Sequence, residues 1–109
     1  MFYNLGDNMN NRKEIAQKFA DAIKSEHIIQ IILYGSVARG DDKPESDIDI
    51  LIITNDYKKI ESKVYDETYN IIIEDDEVIS PQFISQDHFN EIRNFSYISN
   101  VIKDGEIIG

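Results

Sequence analysis

The chain has 109 residues, the size of one small domain, and carries 21 acidic against 11 basic residues for a net charge of −10. So acidic a balance lacks the basic face that phosphate neutralisation requires, which excludes a general nucleic-acid binder. There is no cysteine, which removes disulfides and thiolate metal sites and is compatible with a reducing cytoplasm, and no stretch approaches the ~20 apolar residues of a membrane span.

Residues 1–10 are rich in Asn and hold no apolar core of signal-peptide length, so they read as a flexible leader to a single domain over 11–109. From Asn11 onward, Ile15, Phe19, Ala22 and Ile23 recur at helical spacing, with Lys13, Glu14, Lys18, Asp21 and Lys24 on the other face. The pattern predicts an amphipathic helix over Asn11–Glu26, capped by Asn10 or Asn11 and laid on a sheet. His27 is a linker residue. Ile28–Leu33 is a β-branched run broken only by Gln30, the signature of a strand covered on both faces. It stops at Tyr34-Gly35-Ser36. Gly35 lets the backbone turn and approach a ligand without a Cβ in the way, and Ser36 offers a hydroxyl and an N–H at the same point, so the bend is a phosphate-sized opening. The polar loop Gly40–Ser46 contains Pro44, and its Asp41, Asp42 and Glu45 read as solvated charges.

Asp47 and Asp49 open the second expected strand, Asp47–Thr54. Side chains two apart in a strand share a face, so the two carboxylates project side by side while Ile48 and Ile50 point into a core. Like charges this close repel unless a cation lies between them, and hard oxygen ligands favour Mg²⁺ or Mn²⁺ completed by nucleoside triphosphate oxygens. Taken singly, Gly35-Ser36 would be an ordinary turn, Asp47-x-Asp49 a solvated strand start, Arg39 a surface charge and Ser46 a loop residue. In this order between two apolar strands they gain another meaning, because an apolar strand gains nothing from carboxylates at its mouth.

Further along, Ile60, Val64, Thr68, Ile71 and Ile72 sit at mostly helical spacing and predict a helix over Asp56–Ile73, either complete or extended at Ile71-Ile72-Ile73. Tyr57, Tyr65 and Tyr69 read as core or rim aromatics. Glu74-Asp75-Asp76-Glu77 is an acidic turn, and Val78–Ser85 a third strand that Pro81 confines to an edge or a short length. Gln86–Arg93 is a short helix capped by Ser85, and a second helix through Phe95, Tyr97, Ile98, Val101 and Ile102 ends at Gly105. Glu106–Gly109 either pairs as an edge strand or stays loose.

Gly35-Ser36, Arg39-Gly40, Ser46-Asp47 and Asp49, set in LYGSVARGDDKPESDIDILII, resemble the signature of the minimal nucleotidyltransferases of the DNA polymerase beta superfamily. The resemblance implies an α/β (α+β) fold with a small mixed sheet and helices packed on it. It also implies transfer of a nucleoside monophosphate, with ATP as substrate, onto a hydroxyl. Gly35, Ser36 and Arg39, with Ser46, would serve the triphosphate, the first turn of a short helix over Ser36–Arg39 facing it. Asp47 and Asp49 would hold the metal and carry catalysis. A third carboxylate is implied on a later strand, yet Val78–Ser85 offers only Ser80 and Gln82 on its interior, which leaves Glu77 as the nearest acidic candidate ligand. The resemblance further suggests a HEPN-type protein partner, with the chain as antitoxin. A catalytically impaired binding subunit is the alternative, and modification of a small molecule of the aminoglycoside type suffers from the lack of an acceptor domain.

Overall fold

The computed structural model describes residues 5–109, and side chains from residue 11 onward except at positions 96, 97 and 100. The first helix, α1, covers Leu5–Ala22, so its backbone begins ahead of the expected Asn11 and takes in much of the expected leader; residues 1–4 lie outside the described residues. Strand β1 (Ile28–Tyr34) leads into a short helix α2 (Gly35–Arg39), followed by β2 (Ile48–Thr54). Helix α3 (Tyr57–Asp75) is helical through Ile71–Ile73. It stops at Asp76, whose left-handed φ of 56° ends the helix with its N–H donated to the Ile72 carbonyl. Strand β3 (Ile79–Ser85), helices α4 (Gln86–Ile92) and α5 (Ser96–Asp104) and the two-residue strand β4 (Glu106–Ile107) complete the chain. Ser85 caps α4 by accepting a hydrogen bond from the His88 N–H at 3.1 Å, as its position predicts.

The sheet is mixed, in the order β3-β2-β1-β4. β1 runs antiparallel to β2 and β4, whereas β3 lies parallel to β2, the crossover being made by α3. Pro81 therefore sits on an edge strand, where a missing donor costs no ladder bond. The C-terminal residues do pair: Ile108 N–H donates to the Ile31 carbonyl at 2.9 Å, and Ile31 N–H to the Gly109 carbonyl at 2.9 Å.

β2 and the Ile31–Leu33 half of β1 are covered on both faces, whereas the first half of β1, expected to be covered too, is not: Ile29 is exposed and Ile28 and Gln30 are half-buried. Ile31, Leu33, Ile48, Ile50 and Ile52 face a core with Ile15, Phe19 and Ile23 of the first helical segment and Ile60, Val64 and Ile71 of α3. Ile32, Leu51 and Ile53 face a second, smaller core with Phe89, Ile98 and Val101 from α4 and α5. Tyr97, expected in the same stripe, has no described side chain. The alternation sets the parity of the site: Asp49 shares its face with Leu51 and Ile53, on the α4–α5 side.

Candidate active site

The bend after β1 needs a glycine for two separate reasons. Gly35 has φ +75°, a left-handed conformation costly to side chains, and a Cβ built there would stand 2.4 Å from Asp49 Oδ2. The Asp49 carboxylate thus lies directly against the bare backbone of the bend. Tyr34, the residue before the bend, pairs with Asp49 across β1 and β2. Helix α2 starts with no side-chain cap on its first N–H groups, and the Ser36 carbonyl closes its far end by accepting from the Gly40 N–H at 2.9 Å and the Asp41 N–H at 3.0 Å. Gly40, with φ +82°, makes that reversal possible. The opening inferred from Gly35-Ser36 is therefore a bend with open backbone donors beside a carboxylate.

Asp47 lies just outside β2, which starts at Ile48, and is exposed; Asp49 is half-buried. Burial in the first place, and the charge of Asp47 in the second, hold the Asp49 carboxyl above the ordinary aspartate pKa, while the charge of Arg39 pulls it down. The three charges are thus within electrostatic reach of one another. Arg39 lies at the surface, where its Nε donates to Asp41 Oδ2 at 3.2 Å. Such an arrangement favours a cation: two carboxylates one residue apart, one of them raised by burial and by its neighbour, with the Arg39 guanidinium partly occupied by Asp41. The donor set fits a hard divalent ion that takes its remaining oxygens from phosphates.

The remaining expected site residues are placed differently. Ser46 turns its hydroxyl inward on the loop, where Oγ accepts from the Lys43 N–H at 2.9 Å and the Ser46 N–H donates to the Lys43 carbonyl at 2.9 Å. Glu77 is engaged by Arg12, its Oε1 lying 3.1 Å from Arg12 Nε, and no group of three His, Cys, Asp or Glu that could hold a metal occurs among the described residues. Register explains the gap. Asp49 pairs with Ser80 and Leu51 with Gln82, so the β3 positions on the aspartate face carry a hydroxyl and an amide, neither able to act as an anionic ligand.

One residue of this region escaped the sequence reading. Arg12 of α1 donates from Nη1 to Asp42 Oδ2 at 2.9 Å and to the Lys43 carbonyl at 2.6 Å, and from Nη2 to the Pro44 carbonyl at 2.5 Å. Burial works against its charge, but the hydrogen bonds to Glu77 and Asp42 outweigh that and leave its pKa raised. Asp42 is thus an ion-pair partner rather than a solvated loop charge. The signal available in the sequence was slight: Arg12 has Ile15 and Ala16 at the positions three and four residues on, and so has no acidic helical neighbour there to pair with.

A larger cleft, about 560 Å³, opens at the opposite end of the strands between Thr54, Tyr57, Tyr65 and Phe83, and neither aspartate lines it. Tyr57 stacks edge-on to Phe83 at 4.8 Å, and a hydrogen bond to Glu61 pushes its hydroxyl up to about 12, so the tyrosine is a rim aromatic rather than a reactive group.

The family model described as a nucleotidyltransferase domain matches residues 14–108. The chain belongs to the nucleotidyltransferase domain family. It is 38% identical over 106 residues to a Methanocaldococcus jannaschii protein named "Putative protein adenylyltransferase", with 92% of this chain and 99% of that one covered. A crystal structure titled as that of a putative nucleotidyltransferase from Sulfolobus solfataricus superposes with a TM-score of 0.55 at 17% identity, covering 98% of this chain and 87% of that one. At that identity the likeness supports the fold alone, a mixed α+β nucleotidyltransferase architecture. Among the described residues no helix is long and apolar enough to cross a membrane.

Proposed function

We propose that this nucleotidyltransferase is a metal-dependent adenylyltransferase that moves AMP from ATP onto a hydroxyl of a partner protein, the acceptor oxygen bonding to the α-phosphorus as the bond to the β-phosphate breaks and pyrophosphate leaves. The observation that carries the reading is the Asp49 carboxylate seated against Gly35, which joins the phosphate-sized bend and the acidic pair into one site. Gly35 and the first N–H groups of α2 bind the β- and γ-phosphates, and the Ser36 hydroxyl adds a donor. Arg39, held only by an exposed hydrogen bond to Asp41, would exchange that carboxylate for a phosphate oxygen. Asp47 and Asp49 hold Mg²⁺ or Mn²⁺, which when bound supplies charge neutralisation at the reacting phosphate. Through that ion the two carboxylates would orient the triphosphate for transfer. A protein acceptor is supported by the name of the Methanocaldococcus relative. A HEPN-type partner, with this chain acting as antitoxin in the cytoplasm, is the pairing that the sequence resemblance suggests.

A second reading is favoured by one observation: Ser80 and Gln82 occupy the positions on the aspartate face of β3 where a third carboxylate would stand. The chain then acts on its partner by contact, having lost the group that would take the acceptor proton. The two readings separate when the protein is incubated with α-labelled ATP, Mg²⁺ and its co-purified partner. Label on the partner that disappears in the Asp47→Asn, Asp49→Asn double variant supports transfer. Inhibition of the partner without label leaves contact alone.

A further inference from the structure

We propose that Arg12 is a positioning residue for the acidic pair: from α1 its guanidinium grips the 41–46 loop and so fixes where Asp47 stands. The inference rests on the reading of Asp47 and Asp49 as the metal–nucleotide site. The loop is tied at its two ends by backbone, through the Asp41 N–H to the Ser36 carbonyl at 3.0 Å and the Ile48 N–H to the Val78 carbonyl at 2.9 Å. Its middle is largely exposed, and the Lys43–Ser46 turn is a local bond that holds the turn's shape without fixing its place on the molecule. That place is set by Arg12, which binds Asp42, the Lys43 carbonyl and the Pro44 carbonyl together. Asp47 follows the turn immediately.

The same guanidinium also takes Glu77 at 3.1 Å, so a single side chain, only 11% exposed, joins α1, the loop and the entry to β3. The planar fork of arginine can meet two carboxylates and two carbonyls at once, which the point charge of a lysine cannot. Without it, Asp42 and Glu77, at 19% and 21% exposure, would lose their shared counter-charge on the loop that leads to Asp47 and at the entry to β3. The loop would then move away from its acidic neighbours and carry Asp47 with it. Metal ligands tolerate displacement of only about 0.5 Å, so the cost falls on metal affinity before it falls on the fold.

The test uses the full chain. Mn²⁺ is titrated calorimetrically in the presence of a non-hydrolysable ATP analogue, and amide hydrogen exchange is followed at Lys43 and Ser46. Arg12→Ala is expected to raise the Mn²⁺ concentration for half-saturation about tenfold, the usual effect of removing a group that orients metal ligands. It should also speed exchange at both loop amides, with Arg12→Lys recovering only part of either effect. Lys18→Ala is the control, since Lys18 lies on the same helix but pairs with Glu74 and Asp75 instead. It should leave the Mn²⁺ midpoint and the loop amides unchanged. If Arg12→Ala fails to fold by circular dichroism, Asp42→Asn is read in its place and should shift the midpoint in the same direction. A folded Arg12→Ala protein with wild-type Mn²⁺ affinity overturns the proposal, as does an equal shift in Lys18→Ala. Wild-type binding that survives the Asp47→Asn, Asp49→Asn double variant overturns instead the reading of the site on which the proposal rests.

Discussion

The two ends of β2 both carry polar side chains and treat them in opposite ways. At its C-terminal end, the buried Thr54 donates its hydroxyl to the His27 carbonyl at 2.6 Å and accepts from the Asp56 N–H at 3.0 Å, so the hydroxyl is satisfied both as donor and as acceptor. At its N-terminal end, Asp49 is half-buried against a glycine with another carboxylate beside it, and its pKa is raised as a result. The first end is settled by the chain itself; the second is left in electrostatic conflict that a cation and a phosphate would relieve. That unrelieved charge is what supports reading the N-terminal end as the site.

The comparison is broken most directly by removing the conflict. Asp47→Asn with Asp49→Asn should abolish metal-dependent ATP binding and lower nucleotidyl transfer by about a hundredfold or more while the chain still folds, as followed by calorimetry and by label transfer. Gly35→Ala should come next. Its left-handed φ of +75° costs about 1–2 kcal/mol for a side chain. The clash with Asp49 adds to that, so a drop in Tm should accompany loss of ATP binding. At the quiet end, Thr54→Val should cost about 1–2 kcal/mol by leaving the Asp56 N–H without its acceptor, seen in chemical denaturation, with ATP binding unchanged.

The smallest effect has the most telling sign. Because the folded protein holds the Asp49 proton to higher pH than the unfolded chain does, stability falls as pH rises from the ordinary aspartate value of 3.8 through the raised folded value. Above that window the penalty stays constant. Asp49→Asn should therefore raise Tm slightly at neutral pH in metal-free buffer, and the gain should vanish in acid below the ordinary value. Adding Mg²⁺ and ATP should reverse the order, stabilising the wild type alone. A Tm that falls on Asp49→Asn at neutral pH would show that the carboxylate is already compensated within the chain.

Much of this was legible in the residues. The β-branched run of Ile28–Leu33 and the apolar stretch after Asp47 became adjacent strands, buried on both faces along β2 and at Ile31–Leu33 but not at Ile29, and Pro81 was confined to an edge. The bend at Gly35-Ser36 and the i, i+2 spacing of the aspartates are local facts, and local facts survive folding. The expectations that moved were those about partners. Glu77, expected as a candidate metal ligand, is engaged by Arg12; Asp42, expected in solvent, is engaged by the same group; Ser46 closes its own turn.

What the sequence determined by itself was the chemistry on offer: a glycine bend, two carboxylates one residue apart, and apolar strands to hold them in line. Periodicity and glycine stereochemistry act over a few residues, so they can be read before the chain folds. Only the tertiary structure decided that Asp49 presses on Gly35, that Ser80 stands beside it where an acid was sought, and that an arginine of the first helix governs the loop between. Those pairings join residues far apart in the chain, and sheet register and helix packing alone bring them within reach of a hydrogen bond.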